Sequence, residues 1–427
     1  MSLERAPAAL SLLARHAVPQ AVLRAAQGVA CHLVGGVLRD RLLGLGATDF
    51  DAVVERDGRG IGERLASELD ARLVPLGGKA FAAYRLAGAD FSLDLWDREG
   101  AALAGDLARR DFTVNAFAYD LGAQRLVDPH EGLRDLERRL LRATTAASFS
   151  GDPLRVLRLP RLLVQLPGFS VDPPTVSLAR AAAPRVAGVA AERVREELGR
   201  LLASPDAHRG VALLDSLGVY PGLWLGRPGE PIAGSRSGEA VDEMERLAAA
   251  ALALRQLALG WADEADLAAA RWAIAFAHLP GDGEPRAALQ HFTAAGYLAR
   301  RQADRVAALL PWRELPAGET AQRRFLHAAA ELWPTAAVYL GAGAARRGGF
   351  AAWQQWLAEV VAVLERTGGE ILDPPALISG EEVQELLGIG PGPQVGRALA
   401  RVREAQVDGR VGTRDEALAL LREVQQR

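Results

Sequence analysis

The sequence predicts an α+β fold, with a head on a small mixed sheet over residues 1–145 and helices from there to residue 427. Three observations carry that prediction. Short β-prone runs are confined to the head. Beyond residue 146, apolar residues recur at helical spacing in run after run. Pro and Gly clusters at 167–174, 226–236, 280–285 and 389–393 break those runs into separate helices.

The elements follow in chain order. The N-terminal MSLERAPAALSLLARHAVPQ carries Glu4, two arginines and a histidine among its apolar residues, the pattern of an amphipathic helix and not of a secretory signal. CHLVG (31–35) and FDAVVE (50–55) are strand-like, and GIGERLASEL (60–69) has a helical period. ARLVPL (71–76), FAAYRLAG (81–88) and DFSLDLW (90–96) are short strands that complete the sheet. DLARRDFTVNAFAYDL (106–121) reads as a helix, with RRDFTVNA at its start. Strand signals then disappear. DPLRVLRLPRLLVQL, AERVREELGRLLA, EAVDEMERLAAAALALRQLAL and GGFAAWQQWLAEVVAVLERT all keep the helical period.

Composition bounds the function classes. Hydrophobic residues make up 49% and charged residues 24%, the balance of a soluble globular protein, and 427 residues suggest two to four domains. No apolar run reaches the ~18–20 residues of a membrane span, so no membrane partner is expected. Cys31 is the only cysteine, which excludes a disulfide framework and a cysteine metal site and fits a cytoplasmic protein. The net charge of −3 neither supports nor excludes RNA, because a polyanion site needs only a local basic face. Nearly all the cationic charge is arginine, the better fork for phosphates. Ala, Gly, Leu and Arg dominate, while Lys79 and Asn115 are the only residues of their types. A residue type the chain otherwise avoids is expected to stand where it is needed.

Four local features carry chemistry. Asp49 and Asp51 alternate on a strand and therefore face the same way. Two such carboxylates repel unless a cation sits between them, and hard oxygen ligands favour Mg²⁺; the alternative is a pair of solvent-facing aspartates. Gly35-Gly36, after a strand and before a helix, let backbone N–H groups approach a phosphate, or else only make a tight turn. Arg39, one turn into that helix, is placed to reach the same phosphates. Arg109 and Arg110 offer fork donors to a triphosphate, with Asp111 and Asn115 close behind, or form a solvated charge cluster with a capping Asp. Asp152 and Arg155, three apart in GDPLRVLRLPR, are expected to share a helix face. They would offer an acceptor and a donor fork to the edge of a base, or make a surface ion pair of little energetic value. Asp94, on a strand expected beside Asp49 and Asp51, is either a third carboxylate acting as a base or a partner for an arginine. His32 is read as a strand residue, since no other His stands at ligand spacing.

Each feature alone is weak; their order is specific. LVGGVLRDRLLG…TDFDAVV, DLARRDFTVNAFAYDL, LVDPHEGLRDLERRLLRA and GDPLRVLRLPRLL, taken together, resemble the class II tRNA nucleotidyltransferases and bacterial poly(A) polymerases over residues 31–200. AERVREELGRLL resembles the motif that braces the neck helices. LISGEEVQELLGIGPGPQVGRALARV…VGTRDEALALLREV resembles the tail of bacterial members that act on tRNA. The resemblance implies a polymerase-beta-like nucleotidyltransferase head (1–145), a neck with base-selecting helices (146–205), a helical body (206–345) and a tRNA-binding helical tail (346–427).

It also implies roles. Asp49 and Asp51 would hold the two catalytic Mg²⁺ ions, and Gly35, Gly36, Arg39 and Arg110 the triphosphate. Asp152 and Arg155 would select the base, with Arg158 supporting base or ribose. Asp40, Asp94, Arg109, Asp111 and Asn115 would be supporting residues. The partners would be the acceptor end of tRNA, CTP and, for some members, ATP. The sequence departs from the family in two places. Gly151 stands where the base-selecting motif usually has Glu, and the segment between DFSLDLWDREG and AALAGDLARRDF is short where members adding all three nucleotides carry a longer flexible loop. Members with the loop shortened are often CC-adding enzymes that leave the last A to a separate A-adding enzyme. CC addition is therefore the leading expectation, with full CCA addition, A addition and poly(A) synthesis as alternatives.

Overall fold

The computed structural model describes residues 6–46, 48–76, 83–98, 102–219, 223, 236–257, 264–278 and 284–425. The chain divides into two compact units, one of Met1–Val189 with Ser216–Val219, the other of Ala190–Asp215 with Tyr220–Arg427.

The first unit opens with two helices, α1 (Ala6–Ala14) and α2 (Ala17–Ala26), where the sequence suggested one. The break falls at His16, whose ring accepts from the Val18 N–H and starts α2 afresh. Then follow β1 (Cys31–Val34), α3 (Gly36–Leu43), β2 (Asp49–Val54), α4 (Gly58–Glu68), β3 (Arg72–Leu76), β4 (Ala83–Ala87), β5 (Ser92–Asp97) and α5 (Leu103–Ala108). All five strands expected from the sequence form. Two more, β6 (Ala118–Asp120) and β7 (Arg125–Val127), extend the sheet to seven in the order β3-β4-β5-β2-β1-β6-β7. Only β2 and β5 run parallel; every other pair in this sheet is antiparallel, so the sheet is mixed.

The register decides what each face carries. Directly paired residues share a face and alternate residues return to it. Val34 pairs with Asp51 and Asp51 with Asp94, while Asp49 pairs with Ser92. One face therefore shows Asp49, Asp51 and Asp94 at the strand starts, with Val34 and Val53 deeper. There Val34, Val53 and Ala118 pack under Leu107 of α5. The opposite face buries Leu33, Phe50, Ala52, Val54, Leu93 and Leu95, and α4 packs on β3, β4 and β5. His32 is buried on β1 with Asp120 3.6 Å away, a strand residue as expected.

The helix expected over 106–121 does not form. Helix α5 ends at Ala108, Thr113–Asn115 is a single 3-10 turn, and Ala118–Asp120 is β6. Asp111 is the reason: its carboxylate takes the Phe112 N–H at 2.8 Å and the Asn115 amide at 3.0 Å, competing with helical hydrogen bonding. Strand character also does not end at 146. After α6 (Gly132–Glu137) comes β8 (Leu140–Leu141), which pairs in parallel with the two-residue β9 (Ser170–Val171). Helices α7 (Ser148–Gly151), α8 (Arg155–Gln165) and α9 (Pro173–Ala182) surround that pair in the chain, and Asp172 caps α9 through the Thr175 N–H.

Gly132 locks this end of the unit together. Asp128 accepts the Gly132 and Leu133 N–H groups at 2.8 and 3.0 Å, starting α6, and a Cβ on Gly132 would lie 2.1 Å from the Thr113 carbonyl oxygen. Backbone cannot yield as a flexible side chain does. Gly132→Ala is expected to cost about 1–3 kcal/mol of stability, the range of overpacking, read as a lowered urea midpoint with the slope unchanged.

Among its described residues the second unit is helical: α10 (Ala191–Ala203), α11 (Ala207–Ser216, its last residue in the first unit), α12 (Ser237–Gln256), α13 (Glu264–His278), α14 (Pro285–Ala294), α15 (Arg300–Leu309), α16 (Glu319–Ala329), α17 (Trp333–Arg346), α18 (Phe350–Arg366), α19 (Gly380–Leu387), α20 (Pro393–Val407) and α21 (Arg414–Gln425). Helix α13 is buried on all sides from Leu267 to His278 and packs against α10, α12, α15 and α17. Its Arg271 donates to the Leu202 and Ala203 carbonyls, satisfying the otherwise unpaired end of α10. Helices α19–α21 share their own core around Val383, Val402 and Leu421, and Asp408 joins them to α16 by a two-pronged pair with Arg324. Among the described residues no helix is long and apolar enough to cross a membrane.

Candidate active site

The site grows from the turn between β1 and α3. Gly35 has φ 77° and ψ −149°, a backbone conformation open only to glycine. The space above it is closed on two sides: a Cβ there would stand 2.6 Å from Asp51 Oδ2 and 3.0 Å from Arg110 Nη1. The first glycine, the second aspartate and the second arginine of the three motifs thus converge on one point. Gly36 begins α3, whose first N–H groups lack helical partners and suit an anion.

The carboxylates differ in their surroundings. Asp49 is exposed and accepts the Ser92 hydroxyl at 2.6 Å. Asp51 is partly buried, and its carboxyl is raised to about 6. Burial is the main cause, opposed by Arg110 and aided by the like charges of Asp94 and Asp49. Asp94, beside Asp51 in register, is held by both prongs of Arg85 at 2.7 Å. Of its two readings, the arginine partner is the one the contacts describe. No group of three or more His, Cys, Asp or Glu among the described residues is arranged to hold a metal. An ion here would rest on the Asp49/Asp51 pair and complete its shell with water and substrate phosphate, the usual habit of Mg²⁺. The donor set fits: two oxygen ligands on one face, one of them a carboxyl whose ionised form is disfavoured by burial.

The arginines divide into a phosphate candidate and a set of braces. Arg110 has Asp106 at 3.5 Å from Nη2, points Nη1 toward Gly35, and has a buried Nε that makes no hydrogen bond among the described residues. Arg109 is exposed, with Asp106 at 3.3 Å. Arg39 is turned inward: Nε meets Asp40 at 2.8 Å and Nη1 meets the Asn115 side-chain oxygen at 2.6 Å. Asn115 passes the contact on to Asp111, which also takes Arg158 Nη1 at 3.1 Å. An amide both accepts and donates, which gives the chain's only Asn a role between a guanidinium and a carboxylate. Burial pushes the Asp111 carboxyl up, but Arg158, the Asn115 amide and the Phe112 N–H outweigh it and hold it at about 2.

Asp152 and Arg155 do not share a helix face. Asp152 is extended (φ −144°, ψ 99°) and precedes α8, accepting the Leu154 N–H at 3.2 Å. Arg155 is the first residue of α8. A helical spacing of three fails because Asp152 lies in the kink between α7 and α8, where Pro153 follows it. The Arg155 fork donates to the Ser148 and Arg110 carbonyls at 2.9 and 3.3 Å and to the Arg109 carbonyl, so here it clasps the backbone that carries the two arginines. Gly151 has open space around it: a Cβ there meets nothing within 4 Å. The short link that follows β5 includes residues 99–101, which lie outside the described residues.

Three residues of the site escape a reading of the sequence. Arg85 and Ser92 touch Asp94 and Asp49, and Asp106 stands under both Arg109 and Arg110. Only the alternation Ser92, Asp94 within a strand hints at any of them.

Comparison with known proteins points to one family. Residues 81–142 match the family described as "Poly A polymerase head domain", and residues 168–224 the one described as "Probable RNA and SrmB- binding site of polymerase A". An A-adding tRNA nucleotidyltransferase from Deinococcus radiodurans is 34% identical across 91% of this chain and 94% of its own length. A CC-adding tRNA nucleotidyltransferase from Geobacter sulfurreducens is 31% identical across 96% of this chain and 93% of its own. The crystal structure of the Bacillus stearothermophilus CCA-adding enzyme in complex with CTP superposes with a TM-score of 0.66 at 25% identity, covering 100% of this chain and 98% of that one.

Proposed function

Because the chain belongs to the class II tRNA nucleotidyltransferase and bacterial poly(A) polymerase family, we propose that this nucleotidyltransferase adds two CMP residues to the 3′ end of tRNA. A separate A-adding enzyme would then complete the end. The observation that carries the chemistry is the meeting of Asp51, Gly35 and Arg110 within one small space, with Asp49 beside them on β2.

Asp49 and Asp51 would hold Mg²⁺, which when bound favours the ionised hydroxyl and offsets charge on the phosphates. The Gly35–Gly36 turn and the start of α3 accept the triphosphate through backbone N–H groups, and Arg110 supplies a charged donor at the same spot. Arg39 acts beneath the turn: by gripping Asp40 and Asn115 it fixes α3 against the Asp111–Arg158 pair. Arg155 fixes the other edge by clasping the Arg109 and Arg110 carbonyls. In the reaction the tRNA 3′-hydroxyl gives up its proton to solvent and attacks the α-phosphorus, a new P–O bond forms, and pyrophosphate leaves with the electron pair of the broken P–O bond. Base choice falls to Asp152 and Arg155 with support from Arg158; the Arg155 fork would have to exchange a carbonyl for the base. The four-part division into head, neck, body and tail goes with this reading, body and tail meeting tRNA by shape and phosphate contacts.

The short link after β5 favours CC addition over full CCA addition. A addition is the second reading, favoured by the 34% identity to the A-adding relative. Purified protein, a tRNA ending at its discriminator base, Mg²⁺ and labelled CTP, ATP or both decide among them. Two additions with CTP and none with ATP are expected. Incorporation of A after CC would replace the reading by full CCA addition, and A added only to a CC-ended tRNA would replace it by A addition. Long A tracts on arbitrary RNA would mean poly(A) synthesis.

A further inference from the structure

The helical unit contains a cavity of about 360 Å³ at α12, α13 and α17. Its floor is a closed charge network. Glu243, buried, meets His278 Nε2 at 2.9 Å and Arg346 Nε at 3.3 Å, and Glu239 takes Arg346 Nη1 at 3.1 Å. Arg346 and His278 thus satisfy both carboxylates. Three further arginines line the same cavity, Arg236, Arg313 and Arg347, all exposed, and none has a carboxylate within 4.0 Å among the described residues.

Two of these are fixed in place. Arg313 donates to the buried Tyr339 hydroxyl at 3.1 Å, and Arg347 donates to the Arg313 carbonyl at 3.3 Å. Burial holds the Tyr339 phenol far above its ordinary range, so it stays a neutral partner and offsets no charge. Gly343 keeps the space open: a side chain there would stand 3.2 Å from Arg347 Nη1 and 3.4 Å from Glu243 Oε1. Like charges gathered and oriented without counter-charge repel unless an anion joins them, and guanidinium forks match phosphate oxygens.

We propose that this cavity binds a phosphodiester of the RNA substrate, with Arg236, Arg313 and Arg347 as donors at its mouth. Because the floor is closed by its own ion pairs and the three guanidiniums at the mouth are exposed, they suit a phosphate that passes over the cavity as part of a backbone better than a compact anion enclosed to its depth. The assignment rests on the reading that the chain acts on tRNA.

The test uses the full-length protein and two variants, Arg313→Ala/Arg347→Ala and Arg236→Ala. The second removes a side chain that makes no hydrogen bond among the described residues and so guards against loss of folding. tRNA binding is followed over a salt series, kcat and KM for tRNA are measured, and inorganic phosphate is titrated calorimetrically. In each variant the slope of log K against log salt is expected to fall by about one unit for each arginine that no longer meets a phosphate. KM for tRNA should rise roughly tenfold for each arginine removed, the worth of a charged hydrogen bond, with kcat unchanged. Slopes and KM equal to those of the wild type would overturn the proposal. So would saturable phosphate binding that the variants lose while the tRNA slope stays the same, since the site would then serve a free phosphate compound. A wild-type protein that binds tRNA with the variant-sensitive slope yet transfers no nucleotide would support this site and sink the reading of the reaction instead.

Discussion

Asp51→Asn is expected to cut nucleotide transfer on the order of 10³-fold, as when a group stabilising developing charge is removed, with tRNA affinity unchanged. The substitution keeps the side chain's size beside Gly35 and Arg110 and removes only its charge. The same change should make the metal-free protein more stable. The Asp51 carboxyl sits at about 6 in the folded chain against an ordinary 3.8. A raised folded value means that its stabilising contribution is full below about 3.8 and lost as pH rises through about 6. At pH 7.5 the ionised Asp51 therefore costs about 2–3 kcal/mol, which the Asn variant does not bear. Thermal melts in EDTA should show the variant ahead of the wild type above pH 6 and level with it below pH 4. Mg²⁺ should raise the melting temperature of the wild type and leave the variant almost unmoved. A variant that transfers nucleotide at the wild-type rate would remove Asp51 from the metal site, and an unchanged melting order across pH would remove the burial argument.

Gly35→Ala should damage both fold and reaction. The methyl group meets a backbone conformation closed to other residues and two side chains at 2.6 and 3.0 Å. Strain of this kind costs roughly 1–3 kcal/mol, so a lowered melting temperature is expected. Relief would come by moving Asp51 and Arg110, and a displacement near 1 Å of a positioned group costs on the order of 10²-fold in rate. Gly199→Ala in α10, outside the site, is the control, since its Cβ would meet nothing within 4 Å and its backbone needs no glycine. Equal activity of the two alanine variants would show that the closure above Gly35 plays no part in the reaction.

Much of this site is legible in the chain alone, and for a physical reason. A strand repeats every two residues and a helix every 3.6, so the alternation Asp49, Asp51 and the glycine pair between β1 and α3 are local facts written in order along the chain. The chain by itself determined the mixed-sheet head, the helical remainder, the paired carboxylates and the arginine pair that follows them. Local pattern fails where a side chain competes with the backbone, as Asp111 does in ending the helix expected over 106–121, and where a proline kinks the chain, as after Asp152. Tertiary structure alone decided which distant residues meet. Asp94 stands beside Asp51, and Ser92 beside Asp49, because β5 pairs in parallel with β2 across 43 residues, while the antiparallel pairing of β4 with β5 brings Arg85 to Asp94. A one-residue slip would turn all of them to the other face. The Arg155 fork, which spacing assigns to a base, closes on carbonyls 45 and 46 residues away because the fold brings the start of α8 to the chain just after α5, a placement no spacing along the chain encodes.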